Sequence, residues 1–498
     1  MSDLAIGLWS FPALMALIFL RVPIGLAMFL AGLVGMMLVG GGSAAAFARL
    51  KSETFTTFSS YSLSIVPMFL LMGQFATLGG LSQALFKAAE SWLGHRRGGV
   101  AMAAIGACAG FGAICGSSLA TAATMGRVAL PELRAHGYAG GFSTATLAAG
   151  GTLGILIPPS VVLVIYAILT EQNIAKLFLA AFLPGLLAAL GYVLVISVYV
   201  RLYPASAGLR ARVPYAARFA ALLEVWPVLL VFVAVVGGIY GGIFTPTEAA
   251  AIGAFGTGFI AWAKGGLTRD SLAESFLVTG KSTAMIFFIV LGAAFYNGFL
   301  ALTQVPQEIS AWVVEQGFSP WLVLVLILVF YLLLGCLMDS LSMILLTIPI
   351  FWPVVQGLDF GFITMADLHA ARATEALARG LSLAPDMLNS VQAVLAQGAE
   401  LSPEQIRALG LRGVNDGALA RINLEQTAIW FGILVLIVVE VGLITPPVGM
   451  NLFIINTMDR KTPMMETYKA VLFFVGSDIL RVAILVAFPA ITLFLVGW

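Results

Sequence analysis

Charge is what this sequence has least of. Asp, Glu, Lys and Arg make up 10% of its 498 residues, where a soluble globular domain carries about 25%. A chain this long and this poor in charge cannot hide its apolar surface inside one globule, so lipid must be part of its solvent. A net charge of +1 offers no basic surface to a nucleic acid. Cysteine is scarce as well. Cys108, Cys115 and Cys336 all sit in apolar segments, which excludes a disulfide framework or a CxxC metal site. The three histidines, His95, His136 and His369, are scattered and form no ligand cluster in the sequence. There is no nucleotide loop, Walker motif, metal cluster or nucleophile–base pair. Neither an enzyme nor an ATP-driven pump is therefore expected, and no cofactor. The start, Met1-Ser2-Asp3, lacks a basic n-region, so no cleaved leader is expected.

What is abundant is apolar sequence: 60% of the residues are hydrophobic and the mean hydropathy is +1.03. Uncharged runs of 18 or more residues recur, as in 177–200, 226–243 and 321–338. In hydrocarbon every backbone polar group needs an internal partner, which leaves helices or a closed barrel. The runs are continuous rather than alternating, so the expected fold is an all-α integral membrane protein. We expect about 11 transmembrane helices plus two opposed re-entrant hairpins.

Two stretches echo each other. Gly112-Ala-Ile-Cys-Gly-Ser-Ser-Leu-Ala is followed by Gly151-Thr-Leu-Gly-Ile-Leu-Ile-Pro-Pro-Ser. Gly335-Cys-Leu-Met-Asp-Ser-Leu-Ser-Met is followed by Glu440-Val-Gly-Leu-Ile-Thr-Pro-Pro-Val. Each half has a polar break inside an apolar hairpin, then a helix interrupted at a Pro-Pro pair. Broken helices at matching positions of two halves point to a transporter site. The placement of Lys and Arg sets the orientation. Arg96 and Arg97 precede the first hairpin and Arg134 follows it, so both its ends lie on the cytoplasmic side. Basic loops also carry Arg201, Arg210, Arg212, Arg218, Lys264, Arg269, Arg460 and Lys461, whereas 170–173, 244–248 and 303–308 carry none. Threading the spans between these loops brings the second hairpin, about 320–355, in from outside, as inverted repeats require. Arg49, Lys51 and Lys176 are exceptions on the outer side, the first two on an expected interfacial helix. The expected organisation is N-terminal scaffold helices and arm (1–60), a first repeat (61–200), connecting scaffold helices (201–280) and a second repeat (281–498). A polar periplasmic insertion (359–423) lies within the last.

A broken helix exposes backbone groups at mid-membrane. Half-helix N-termini suit an anion, and unwound carbonyls with hydroxyls suit a hard cation such as Na⁺. At the first break the candidates are Ser117, Ser118 and Thr121, with carbonyls near Gly154, Ile157 and Pro159. At the second they are Asp339, Ser340 and Ser342, opposite Gly442, Thr445 and Val448. Ser117, Ser118, Thr445 and Asn451 are candidate substrate contacts. A lone Ser or Thr in a helix more often bonds the preceding turn, but here the polar tips face Pro-Pro breaks in both halves. Asp339 and Glu440 are intramembrane carboxylates, expensive there and usually functional. For Glu440, a structural hydrogen bond or a buried Lys partner is an equal reading. Asp478 and Arg481, at i and i+3, are expected to neutralise each other. The stretch 359–423 changes composition abruptly, with seven acidic residues against five arginines. It reads as short amphipathic helices near 368–378, 385–396 and 403–409, with Asp367, Asp386 and Ser402 near their starts. We expect it outside the membrane, in partner contact, with a tolerated surface insertion as the plainer alternative.

At these residues the sequence resembles the large membrane subunit, DctM type, of the tripartite ATP-independent periplasmic (TRAP) transporters. The segments that carry the resemblance are Cys115-Gly-Ser-Ser-Leu-Ala-Thr-Ala-Ala-Thr-Met-Gly, Ala148-Ala-Gly-Gly-Thr-Leu-Gly-Ile-Leu-Ile-Pro-Pro-Ser, Gly237-Gly-Ile-Tyr-Gly-Gly-Ile-Phe-Thr-Pro-Thr-Glu-Ala-Ala-Ala and Glu440-Val-Gly-Leu-Ile-Thr-Pro-Pro-Val-Gly-Met-Asn-Leu-Phe. The resemblance implies an elevator transporter in a bacterial inner membrane. It implies two Na⁺ sites at the residues named above and carboxylate-bearing substrates. Its implied partners are a small four-helix membrane subunit (DctQ type) and a periplasmic substrate-binding protein (DctP type). The pattern starts almost at Met1, so the small subunit is expected on a separate chain. Two features depart from the family. Its Asn two residues before the motif Glu is Val438 here, and 359–423 has no recognised counterpart. A self-sufficient ion-coupled anion transporter is the alternative reading.

Overall fold

The computed structural model describes residues 2–39, 42–379, 381, 383–411 and 414–497; Met1 and one of the five arginines of the insertion, Arg412, lie outside them. The described residues are helical, with turns and short loops between helices and no strand among them. Five helices are long and apolar enough to cross a membrane: Tyr61–Leu78, Ile174–Leu202, Arg269–Thr303, Asp416–Ile444 and Met464–Ala487. Two bent pairs add Gly140–Leu156 with Val161–Thr170 and Tyr215–Leu223 with Trp226–Tyr240. Other apolar helices are shorter, because breaks and hairpins divide the apolar runs: Asp3–Phe19, Ile24–Leu38, Gly99–Cys115, Pro320–Gly335 and Ser340–Gln356. The chain is thus a multi-pass, all-α membrane protein. Two of the expected boundaries fall inside helices: 200/201 within Ile174–Leu202 and 280/281 within Arg269–Thr303. The latter packs along Ile24–Leu38, where Gly25 and Gly32 let the backbones meet.

The first hairpin is Gly99–Cys115 and Ser118–Ala135; the second is Pro320–Gly335 and Ser340–Gln356. Each is followed by a broken helix. Gly140–Leu156 resumes as Val161–Thr170 after Ile157-Pro-Pro-Ser, and Asp416–Ile444 resumes as Met450–Met458 after Thr445-Pro-Pro-Val-Gly. Proline lacks the N–H that would continue the ladder, so two in a row end the helix. The broken helices run antiparallel. Gly140 and Gly141 touch Thr462 and Glu466, and Arg134 pairs with Asp459, all at the open end of the first hairpin. At the other end Tyr166 Oη donates to the Ala428 carbonyl at 2.6 Å and packs on Gly432. There Trp321 and Phe360, at the open end of the second hairpin, pack against Trp430. The hairpins therefore enter from opposite ends and point at each other.

The pattern of basic residues also finds its explanation. Lys176 lies 2.5 Å from Glu425. Arg49 lies on the amphipathic helix Gly42–Phe58, bonded to Glu53 at 3.0 Å and lying over Gly298. Two of the three exceptions expected on the outer side, Arg49 and Lys176, are thus paired cations rather than free ones.

The insertion contains helices Met365–Ala378, Pro385–Ala396 and Pro403–Ala408. Its small core of Ala373, Val391, Leu401 and Leu409 is separate from the main one. The first helix starts three residues earlier than expected. Thr364 is its N-cap and Asp367 is the third residue of a capping box, its carboxylate accepting from Thr364 N at 2.9 Å. At the second start the N-cap is Ala384, with Pro385 opening the helix and Asp386 in its first turn. Ser402 caps the third as expected. The neck is closed by Asn423, whose side chain bonds the Ile363 N–H and C=O, both at 3.0 Å.

Candidate functional site

Each hairpin tip ends in a side-chain cap on the second arm. In the first, Gly116 adopts φ 64°, a region open to Gly at no steric cost. Ser117 then caps the second arm, its Oγ accepting from Ala120 N at 3.4 Å. In the second tip, Asp339 caps Ser340–Gln356, its carboxylate accepting from Ser342 N at 3.1 Å. Both tips abut their breaks. A Cβ on Gly116 would lie 3.0 Å from the Pro159 carbonyl oxygen, and Cys336 Sγ lies 3.9 Å from that of Pro446. A glycine pair sets each crossing. A Cβ on Gly112 would come within 2.6 Å of Gly154 Cα, and one on Gly442 within 2.5 Å of Gly335 Cα. No side chain fits at either crossing, so hairpin and broken helix touch backbone to backbone.

The first group of predicted residues is brought together. Thr121 and Ser118 are buried and their hydroxyls have no hydrogen-bond partner. Thr121 Oγ1 and the Ser117 carbonyl both crowd the Cα of Gly154. Ile157 ends Gly140–Leu156 and turns its side chain toward Gly185. The result is an apolar-walled cluster of oxygens with unused lone pairs, the donor set a hard cation takes. In the second group Ser340 and Ser342 are buried. Thr445 Oγ1 donates 2.6 Å to the Val441 carbonyl, leaving its lone pairs free. The Pro447 carbonyl is taken by Tyr468 Oη at 2.6 Å. Val448 sits in the unwound segment before Gly449, which has φ 57°. Asn451 lies apart from this group. Its Nδ2 donates to the Ala148 carbonyl at 3.3 Å, it sits against Gly151, and its buried Oδ1 is unpartnered. It thus reaches from the second half into the first.

The sequence leaves two readings open for Glu440. Its carboxylate is buried and faces the hydroxyls of both Ser118 and Ser340, yet makes no well-formed bond with either. One acidic side chain therefore stands between the first residues of the second arms of the two hairpins. No buried Lys partners it among the described residues. Its lone position in an apolar run was the available signal. Val438, the departure from the family pattern, instead lines an apolar cleft with Trp321, Val325 and Val482, where an amide would have no partner. Behind the site, Asp478 and Arg481 approach to 3.0 Å. Tyr192 Oη donates to Asp478 at 2.8 Å and lies 3.0 Å from Thr152 Oγ1 on the first broken helix.

Two other groups of residues stand apart from the site. Thr245 and Glu248, in the Thr-Pro-Thr-Glu segment, form a capping box that starts Pro246–Ala263 and take no part in the site. His136, scattered in sequence, is brought beside Glu90 and Glu132, with ligand-type atoms within 4.8 Å of one another. Glu90 is already held 2.5 Å from Arg210.

The chain is similar to known proteins. Residues 11–491 match the family model described as tripartite ATP-independent periplasmic transporter, DctM component. The chain is 33% identical over 454 residues to the C4-dicarboxylate TRAP transporter large permease protein DctM of Pseudomonas aeruginosa, covering 90% of this chain and 89% of that one. It is 28% identical over 497 residues to the DctM protein of Vibrio cholerae, covering 95% and 94%. Among solved structures, the YdaH transporter of Alcanivorax borkumensis superposes with a TM-score of 0.58 over 91% of this chain and 90% of that one, at 14% identity. That likeness is one of fold.

Proposed function

Because the chain belongs to the DctM component family of tripartite ATP-independent periplasmic transporters, making it a transporter permease rather than an enzyme, we propose that it imports a carboxylate-bearing solute with Na⁺. In this reading it works in a bacterial inner membrane with a small membrane subunit and a periplasmic binding protein. The observation that carries the reading is Glu440 between Ser118 and Ser340, with the unpartnered hydroxyl of Thr121 in the first group and the capping carboxylate of Asp339 in the second. Buried hydroxyls, carbonyls and a carboxylate at broken helices are suited to Na⁺. The half-helix N-termini at Ser118 and Ser340 offer N–H groups to a substrate carboxylate. In this reading the paired hairpins and broken helices move as one body against the helices around Arg269–Thr303, an elevator mechanism. The carboxylate class follows the C4-dicarboxylate name of a relative at 33% identity.

The energetics favour coupling to more than one ion. Each Na⁺ entering gains about 2.3 kcal/mol per 100 mV, so a monoanion needs two Na⁺ for the inside-negative potential to assist uptake. The test is uptake into proteoliposomes holding this chain and its small subunit, with the binding protein outside. Uptake that requires an inward Na⁺ gradient is expected. Uptake indifferent to Na⁺ and driven by a pH gradient would overturn the coupling. Uptake without the binding protein would favour a self-sufficient ion-coupled anion transporter.

A further inference from the structure

At the open end of the first hairpin, well away from the Glu440 site, two short amphipathic helices pack together: Leu81–Leu93 and Tyr215–Leu223. Their junction is rich in donors and poor in acceptors. Arg218 is 3% exposed, flanked by the rings of Trp92 and Tyr215 at 5.8 and 4.9 Å from their centroids. Its Nε donates to the Val213 carbonyl at 2.9 Å, but its buried Nη2 has no partner. Two more buried nitrogens beside it lack partners, Trp92 Nε1 and His95 Nδ1. Arg212, exposed, donates to Tyr215 Oη at 2.8 Å and lies over that ring, forming the outer wall. Of the nearby carboxylates, Glu224 is engaged with Lys87 at 2.7 Å and Glu90 with Arg210 through one oxygen, its other oxygen lacking a partner. Arg212 and Arg218 are left without an acidic partner among the described residues. Desolvation, then the charges of Arg218, Arg212 and Arg96, hold the His95 imidazole below its ordinary pKa.

A buried guanidinium with an unpartnered N–H is costly unless an anion reaches it. A phosphate diester supplies the missing acceptors and the missing negative charge together. The setting says which phosphate. Phe219, Leu222 and Leu223 on the same short helix are exposed, and Phe219 packs edge-on against Trp92 at 5.6 Å. Aromatic and aliphatic groups beside arginines are what an interfacial helix presents to acyl chains and headgroups together.

We propose that Trp92, His95, Arg212 and Arg218 form a binding site for the phosphate of an anionic phospholipid, between the helix that leads into the first hairpin and helix Tyr215–Leu223. The acyl chains run along Phe219 and Leu223, and the headgroup displaces the Arg212–Tyr215 wall to reach Arg218. The lipid ties the entrance of the first hairpin to the membrane surface.

The full chain, with any co-purifying subunit, is titrated in detergent with phosphatidylglycerol or phosphatidylcholine and read by native mass spectrometry. Inorganic phosphate serves as the soluble arm. Saturable phosphatidylglycerol adducts that phosphatidylcholine does not reproduce are expected. Arg212→Gln should weaken them roughly fivefold, about what one surface arginine contributes. Trp92→Phe, which keeps the ring and removes the N–H, should weaken them as well without lowering Tm. Arg218→Gln should weaken them most, and Arg212→Gln keeps the test valid if that buried variant fails to fold. Equal binding of both lipids, or adducts unchanged in Arg212→Gln and Trp92→Phe, would overturn the site. Displacement of phosphatidylglycerol by millimolar phosphate would make the ligand a free anion and overturn the lipid. A co-purifying subunit that shields Arg212 from modification would do the same in favour of a protein.

Discussion

At the first hairpin tip the capping group is the neutral hydroxyl of Ser117; at the second it is the carboxylate of Asp339. The backbone around them is shared: a capped second arm, a glycine crossing and a Pro-Pro break in each half. The side chains are not. Four residues past the second proline of the break, the second half carries Asn451 and the first carries Leu163. Asn451 turns into the first half, so the first broken helix gains an amide while the second tip keeps an acid. Past the first break Ser160 caps the resumed helix through Leu163 N at 3.3 Å, whereas past the second Gly449 provides a turn and no side-chain cap. The repeat fixes where oxygens are presented, and the departures from it decide which oxygens they are. Under the proposed function, two sites built alike bind one ion each with different strength, and Glu440 couples them.

The largest effect should come from the crossings. Gly154→Val and Gly442→Val each drive a side chain into backbone, and overpacking of this kind costs about 1–3 kcal/mol or more. Both should lower Tm and the yield of monodisperse protein. A loss at only one crossing would break the symmetry of the comparison.

Next is the residue that the two tips share. Glu440→Gln keeps the shape and removes the charge, and should reduce Na⁺-driven uptake at least tenfold in protein that still folds. Wild-type uptake would reduce Glu440 to a bridge between two hydroxyls.

The tips themselves should then separate. Asp339→Asn retains a good capping group but removes charge, so it should raise the half-saturating Na⁺ concentration about tenfold, as loss of a charged interaction implies. Ser118→Ala removes an unpartnered hydroxyl, a change worth about 1 kcal/mol, and should raise it about fivefold with Tm unchanged. Equal Na⁺ curves for both variants would mean that the acidic cap confers no difference.

The smallest effect should be outside the membrane. Replacing 365–422 by a short linker between Ile363 and Asn423 removes a body with its own core. Tm should move by a degree or two, while binding-protein-dependent uptake falls. Full uptake would make the insertion a tolerated surface feature. Ala393→Cys should react with an impermeant maleimide in intact cells, and labelling only after lysis would reverse the orientation.

The hairpins, both breaks and the insertion were legible because each leaves a local mark: hydroxyls or an acid in an apolar run, Pro-Pro in a helix, a burst of charge. Ser117, Ser118, Thr121 and Gly154 could be grouped in advance since one tip and one break supply them. Glu440 could not be assigned, because its partners lie about 100 and 320 residues away in sequence at Ser340 and Ser118. Asn451 could be named as polar, but not placed against Ala148.

The sequence alone determined the solvent, the secondary structure and the two-fold plan. Those follow from transfer of apolar surface into lipid and from the loss of backbone N–H groups at proline, which are properties of single segments. Only the tertiary structure decided that the two tips meet at one carboxylate, that Lys176 and Arg49 are paired cations, and that Arg218 lies buried between two rings with an N–H to spare. Each of these depends on close approach between segments far apart in the chain. Periodicity and composition carry no term for such a meeting; it is set by which surfaces pack, here where Gly112 faces Gly154 and Gly335 faces Gly442.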